Sequence, residues 1–203
     1  MRVSSVIICL GLLAAFALAA RTTSVALAKP VAASTSSFAK LGQGIGAVTL
    51  VDTAGKGVQW DQFKGKPRVL FFGFTHCPVV CPVTVWELDA ALAEIGAPAD
   101  TIKITFVTLD PKRDTSAVLA KYFSGFKGRV VPLTGSEKDT ARLARAYDIH
   151  FERVDTGKGD YTLDHTAIAF LINAEGHVVD TLAFGASREL SVTRLKALLA
   201  HPN

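Results

Sequence analysis

The chain has 203 residues, a formal charge of +4, 49% hydrophobic and 20% charged residues. Those totals suit one folded domain with a short leader and exclude an intrinsically disordered chain. No basic run interleaved with aromatics occurs, which argues against a nucleic-acid partner.

Arg2 precedes an apolar run over residues 6–20, followed by small residues at Ala17-Leu18-Ala19 and Ala26-Leu27-Ala28. This is the layout of an export signal with two candidate cleavage sites. Counted from Val3 to Ala20, the run has the length of a minimal membrane span, so residues 1–28 read as a signal peptide or a single N-terminal anchor. The expected location is therefore the periplasm or the outer face of a bacterial cytoplasmic membrane, where disulfides persist. Cys9 falls inside this segment and reads as an apolar-helix residue. Residues 29–44 are small and polar and read as a flexible linker. The folded domain is expected over 45–203.

Residues 47–51 and 58–60 flank a Gly-containing turn and predict a hairpin. Residues 68–74 form a continuous apolar run, the pattern of a strand covered on both faces. Cys77 and Cys81 follow at once. Val85, Leu88, Ala91, Leu92 and Ile95 then mark one face of a helix over 83–95, ended by Gly96. Residues 102–109 predict a second buried strand. A helix over 115–126 is capped by Thr115, with Val118, Leu119, Tyr122 and Phe123 on one face. A short strand over 130–133 leads to a helix opened by Ser136 and Asp139 and running to about Tyr147. Residues 149–154 and 161–163 flank a Gly-rich turn. Residues 167–172 and 177–183 predict a closing hairpin, and 187–200 a last helix. Alternating strands and helices with a ββα ending predict an α/β, thioredoxin-like domain: an N-terminal β-hairpin, a central sheet flanked by helices, and the cysteines at the first strand-to-helix junction.

Thiols at a helix N-terminus meet unsatisfied N–H groups and a partial positive charge, which favour thiolate. The four-residue separation is about one helical turn, a rise of roughly 6 Å. The pair could form a redox disulfide or converge on a metal ion. A metal needs a third ligand, and the histidines differ in their placement. His201 is terminal, while His177 and His150 begin strands. His76 adjoins Cys77, with its ring expected to point away. His165 lies in the loop that a thioredoxin-like sheet brings beside the cysteines, where thioredoxins carry a cis-proline. Two thiolates and one imidazole suit Cu(I), whereas Zn(II) would take a fourth ligand. Asp110 and Asp114 read as caps of the loop around Pro111, and Trp86 as a packing residue.

These residues resemble the Sco/SenC family of copper chaperones. The matching pieces are Gly65-Lys66-Pro67, Phe71 to Pro78 with Cys81-Pro82, Asp110-Pro111-Lys112-Arg113-Asp114, Leu133-Thr134-Gly135, and Tyr161 with Asp164-His165-Thr166. The resemblance implies that Cys77, Cys81 and His165 hold one copper ion, Cu(I) or Cu(II). It also implies delivery of copper to, or reduction of the cysteines at, the binuclear copper site of cytochrome c oxidase subunit II. Expected partners are that subunit or another copper acceptor, and a periplasmic thiol reductant. One position departs from the family, which has aspartate where this chain has Val79. The competing reading is a periplasmic thiol–disulfide oxidoreductase using a Cys77/Cys81 disulfide. A peroxide-reducing thiol enzyme would place Thr where this chain has Phe74.

Overall fold

The computed structural model describes residues 38–200 apart from 46, 127 and 158. The expected leader, Cys9 and His201 lie outside the described residues. Of the expected linker, 38–44 are described. There Phe38 and Leu41 pack on the core, and the Gly42 N–H donates to the Ala146 carbonyl at 2.7 Å. Packing on the core thus already includes Phe38 and Leu41, ahead of position 45. No helix among the described residues is long and apolar enough to cross a membrane.

Among the described residues, nine strands and four α-helices follow in chain order. β1 (Thr49–Val51) and β2 (Gly57–Gln59) form the expected hairpin, its turn pinned by Asp52 Oδ1, which accepts from the Ala54 and Lys56 N–H groups. β3 (Arg68–Gly73), β4 (Lys103–Thr108) and β5 (Val130–Gly135) are mutually parallel in the order β5-β4-β3. β8 (Ile168–Ile172) adds antiparallel to β3, and β9 (Val178–Ala183) to β8. The sheet order is β2-β1-β5-β4-β3-β8-β9, with β4 in the middle and β3 interior beside it. The thioredoxin-like α/β expectation is met.

Every residue of β3 is buried, as its continuous apolar run requires. Side chains alternate between faces. Val69 and Phe71 enter a core shared with α1 (Val80–Ile95) and α4 (Arg188–Ala200); Leu70 and Phe72 enter a core shared with α3 (Glu137–Ala146). Each fully buried aromatic here contributes roughly 1.5–3 kcal/mol.

Two helices differ from expectation. The first starts at Val80 instead of residue 83, because Pro82 is compatible with a first turn and Cys81 continues the buried stripe of Val85, Leu88 and Leu92. α2 (Ser116–Tyr122) ends early in a 3-10 turn over Ser124–Phe126, and Val118 stays on the solvent side. The Thr115 and Ser136 caps form as expected, accepting from Val118 and Asp139 N–H groups at 3.3 and 3.0 Å.

β6 (Phe151–Gly157) and β7 (Asp160–His165) make a separate two-stranded ribbon, pairing only with each other. His165 therefore ends a regular strand, opposite Phe151, where an irregular segment was expected.

Candidate metal centre

β3 delivers the chain to a tight loop at its C-terminal end, and α1 starts immediately after. The Cys77 N–H donates to the Phe74 carbonyl at 3.3 Å. Val79, at the helix N-cap, offers no side-chain acceptor. Instead the Cys81 N–H donates to Cys77 Sγ at 3.3 Å, so a thiol sulfur satisfies one of the orphan donors of the first turn. Both cysteines are free; Cys77 is 9% exposed and Cys81 1%.

Gly73 makes room for the second sulfur. A Cβ there would stand 2.9 Å from Cys81 Sγ and 3.0 Å from the Phe106 ring. Gly73→Ala should destabilise the metal-free protein by about 1–3 kcal/mol through overpacking, read as a lower denaturant midpoint.

His165 reaches the pair from the ribbon. Its Nδ1 lies 3.0 Å from the Thr166 carbonyl oxygen, which can only accept, so Nδ1 carries the proton. Nε2 then presents its lone pair, and it lies 3.5 Å from Cys81 Sγ. The Phe71 and Phe74 rings meet the imidazole edge-on, with centroids at 6.5 and 5.8 Å. Burial lowers the His165 pKa below the ordinary imidazole value, opposed by the Thr166 carbonyl and by Asp164. The ring is a neutral imidazole with its Nε2 lone pair turned to the sulfur, its orientation fixed by the bond at the other nitrogen. A sulfur and a nitrogen bound to one thiophilic ion at ordinary bond lengths stand about 3.5–3.8 Å apart. The observed spacing fits that range.

Burial pushes the Cys81 thiol well up from its ordinary value; the Phe74 backbone opposes this and the Cys77 sulfur adds to it. The helix N-terminus was expected to favour thiolate, but at Cys81 desolvation outweighs it. With its proton in place, the Cys81 S–H can donate to His165 Nε2. Among the described residues, no three His, Cys, Asp or Glu side chains already form a metal-holding group. Cys81 and His165 meet directly, whereas Cys77 is joined through the Cys81 N–H.

The other described histidines do not contact the pair. His150 and His177 are exposed, the former 3.5 Å from Asp148. His76 is half-exposed, with Nδ1 3.2 Å from Thr75 Oγ1 and 3.9 Å from Asp114 Oδ1. Trp86 is 57% exposed, against the packing role expected of it, and lies under the Arg188 guanidinium at 5.5 Å. Its helix position faces outward, opposite the buried stripe.

The loop over residues 110–114 does more than cap. Fully buried Asp114 accepts from the Thr75 N–H at 3.0 Å, Thr75 Oγ1 at 2.5 Å and Thr108 Oγ1 at 2.6 Å, which fixes the strand end leading to Cys77. Asp110 accepts from the Tyr161 hydroxyl at 2.8 Å and pairs with the Arg113 Nε–H. The Arg113 Nη1–H groups reach the Tyr161 carbonyl at 2.8 Å and Asp160 at 3.1 Å. The sequence signal for these links was the Asp-Pro-Lys-Arg-Asp run with Tyr161; their partners were not readable from it.

A family model described as SCO1/SenC matches residues 40–200. The structure of Bradyrhizobium japonicum ScoI with copper bound is 36% identical, with a TM-score of 0.69, covering 75% of this chain and 98% of that one. Yeast Sco1 with copper bound is 28% identical, with a TM-score of 0.70 and coverage of 77% and 88%. Protein sco1 of Schizosaccharomyces pombe is 31% identical over 148 residues, 71% of this chain and 56% of that protein. This chain spans about half the length of the first curated relatives it matches.

Proposed function

The chain belongs to the SCO1/SenC family, and we propose that it binds one copper ion through Cys77, Cys81 and His165 and hands that ion to an acceptor protein. The observation that carries this reading is the 3.5 Å approach of Cys81 Sγ and His165 Nε2, with the Nδ1 proton held by Thr166. Copper bound in the Bradyrhizobium and yeast relatives supports it. Rotation of the Cys77 side chain, released from the Cys81 N–H, completes a trigonal S₂N set that suits Cu(I). The ion is cargo. An incoming thiol displaces one protein ligand at a time, and the half-buried imidazole is the most accessible to exchange. The family resemblance points to the binuclear copper site of cytochrome c oxidase subunit II as acceptor. The apolar leader points to the periplasm or the outer face of the cytoplasmic membrane as the place of action.

Because the Cys81 thiol keeps its proton at neutral pH, copper binding must expel that proton. Cu(I) affinity should then rise about tenfold per pH unit for each proton released across the neutral range. Acidification through the lowered His165 pKa adds a competing proton and weakens binding further. Competition titration of the purified protein from pH 4.5 to 8 reads the thiol effect in the neutral range and the imidazole effect at the acid end. One copper per chain with this slope is the expected result. No copper uptake, together with rapid reduction of protein disulfides, would leave the thiol–disulfide oxidoreductase reading, which the two free cysteines one turn apart favour.

A further inference from the structure

His165 is carried by a ribbon that shares no strand pairing with the main sheet. At its His165 end the ribbon is tied to the sheet by the chain running into β8 at Ile168, and the Thr166 N–H donates to the His150 carbonyl at 3.0 Å; its tilt is set by side-chain anchors further along β7. Tyr161, Leu163 and His165 alternate along β7 and share the face turned to the domain. Leu163 packs against both cores. Tyr161 is held by polar contacts from every side. Its hydroxyl donates to Asp110 Oδ1 at 2.8 Å, and its carbonyl accepts from Arg113 Nη1 at 2.8 Å. Its ring lies between two guanidiniums, Arg113 at 3.6 Å and Arg153 at 3.7 Å from the centroid.

The loop that holds Tyr161 is also the loop that holds the cysteines. Asp110 and Arg113 grip the ribbon, while Asp114, in the same five residues, binds Thr75 two positions before Cys77. One short loop thus references the imidazole and the thiols to a common frame at the C-terminal end of β4. The ribbon rises about 13 Å from Tyr161 to His165, so a small tilt at the anchor becomes a comparable displacement at Nε2.

We infer that Tyr161, held by Asp110 and Arg113, is a positioning residue that sets the reach of His165 to Cys81. This rests on the copper-site reading above. Phenylalanine at 161 keeps the ring between the guanidiniums and removes only the bond to Asp110. Lysine at 113 keeps the charge but lacks the planar fork that spans the Tyr161 carbonyl, Asp160 and Asp110.

The test is a double-mutant cycle on the full chain, reading Cu(I) affinity by competition titration and folding by thermal melting. Tyr161→Phe should weaken Cu(I) binding about tenfold, the lower end of what orienting groups contribute. In a His165→Ala background the same change should have no effect beyond about twofold, because no imidazole is left to position. Arg113→Lys should behave alike. Equal losses in both backgrounds, or no loss in either, would overturn the inference and leave Tyr161 as a stabilising contact. A wild-type chain that binds no copper, or whose affinity ignores His165→Ala, would instead remove the copper reading itself, and this inference with it.

Discussion

Replacing His165 by alanine should lower Cu(I) affinity by more than about 100-fold, beyond the upper end of what removing an orienting neighbour costs, because a ligand itself is lost. The imidazole supplies the only nitrogen near the two sulfurs among the described histidines, and its tautomer is set by the Thr166 carbonyl. The fold should survive, since the ring is only partly buried and bonds to one backbone group. The melting temperature of the metal-free protein should stay within a few degrees of wild type. Competition titration and thermal melting on the same samples separate these effects. Asparagine at 165 would not rescue binding, because its amide is a poor ligand for a soft ion.

Asp114→Ala should act mainly on stability. Three donors converge on this buried side chain, and its removal leaves the Thr75 N–H and the buried Thr108 hydroxyl without that acceptor, while the Thr75 hydroxyl keeps His76 Nδ1 at 3.2 Å. Each buried unsatisfied donor costs about 1–3 kcal/mol. A total of about 3 kcal/mol or more follows, or roughly 10 °C in melting temperature for a domain of this size. The Cys77 loop loses its anchor at Thr75, so copper affinity should fall as well. Asp114→Asn retains one acceptor oxygen and should fall between the two. A melting temperature unchanged in Asp114→Ala would mean that water replaces the carboxyl at no cost.

The parts of this architecture that follow from periodicity were readable in the chain. The all-apolar run at 68–74 became β3, an interior strand buried along its whole length, and the Val85, Leu88, Ala91 and Leu92 stripe became the inner face of α1. The start of that helix was read three residues late, although Cys81 already stood one turn before Val85 on the same stripe. That register also held the signal for its burial, which reverses the expected thiolate preference. The ribbon was legible as two strands around Gly157 and Gly159, but not as a unit apart from the sheet, because pairing partners leave no mark in a strand's own pattern. His165 was reached by topology, through its place before β8. The contacts that orient it and the cysteine loop were not reachable this way. Asp110, Arg113, Asp114 and Tyr161 are separated by up to 51 positions, and only the fold brings them together.

The most direct measurement of the copper site is X-ray absorption spectroscopy of the protein loaded with one equivalent of Cu(I). Two sulfurs and one nitrogen in the first coordination shell, with the nitrogen lost in His165→Ala, is the predicted result. A shell of two sulfurs alone in the wild-type protein, unchanged by that substitution, would contradict it.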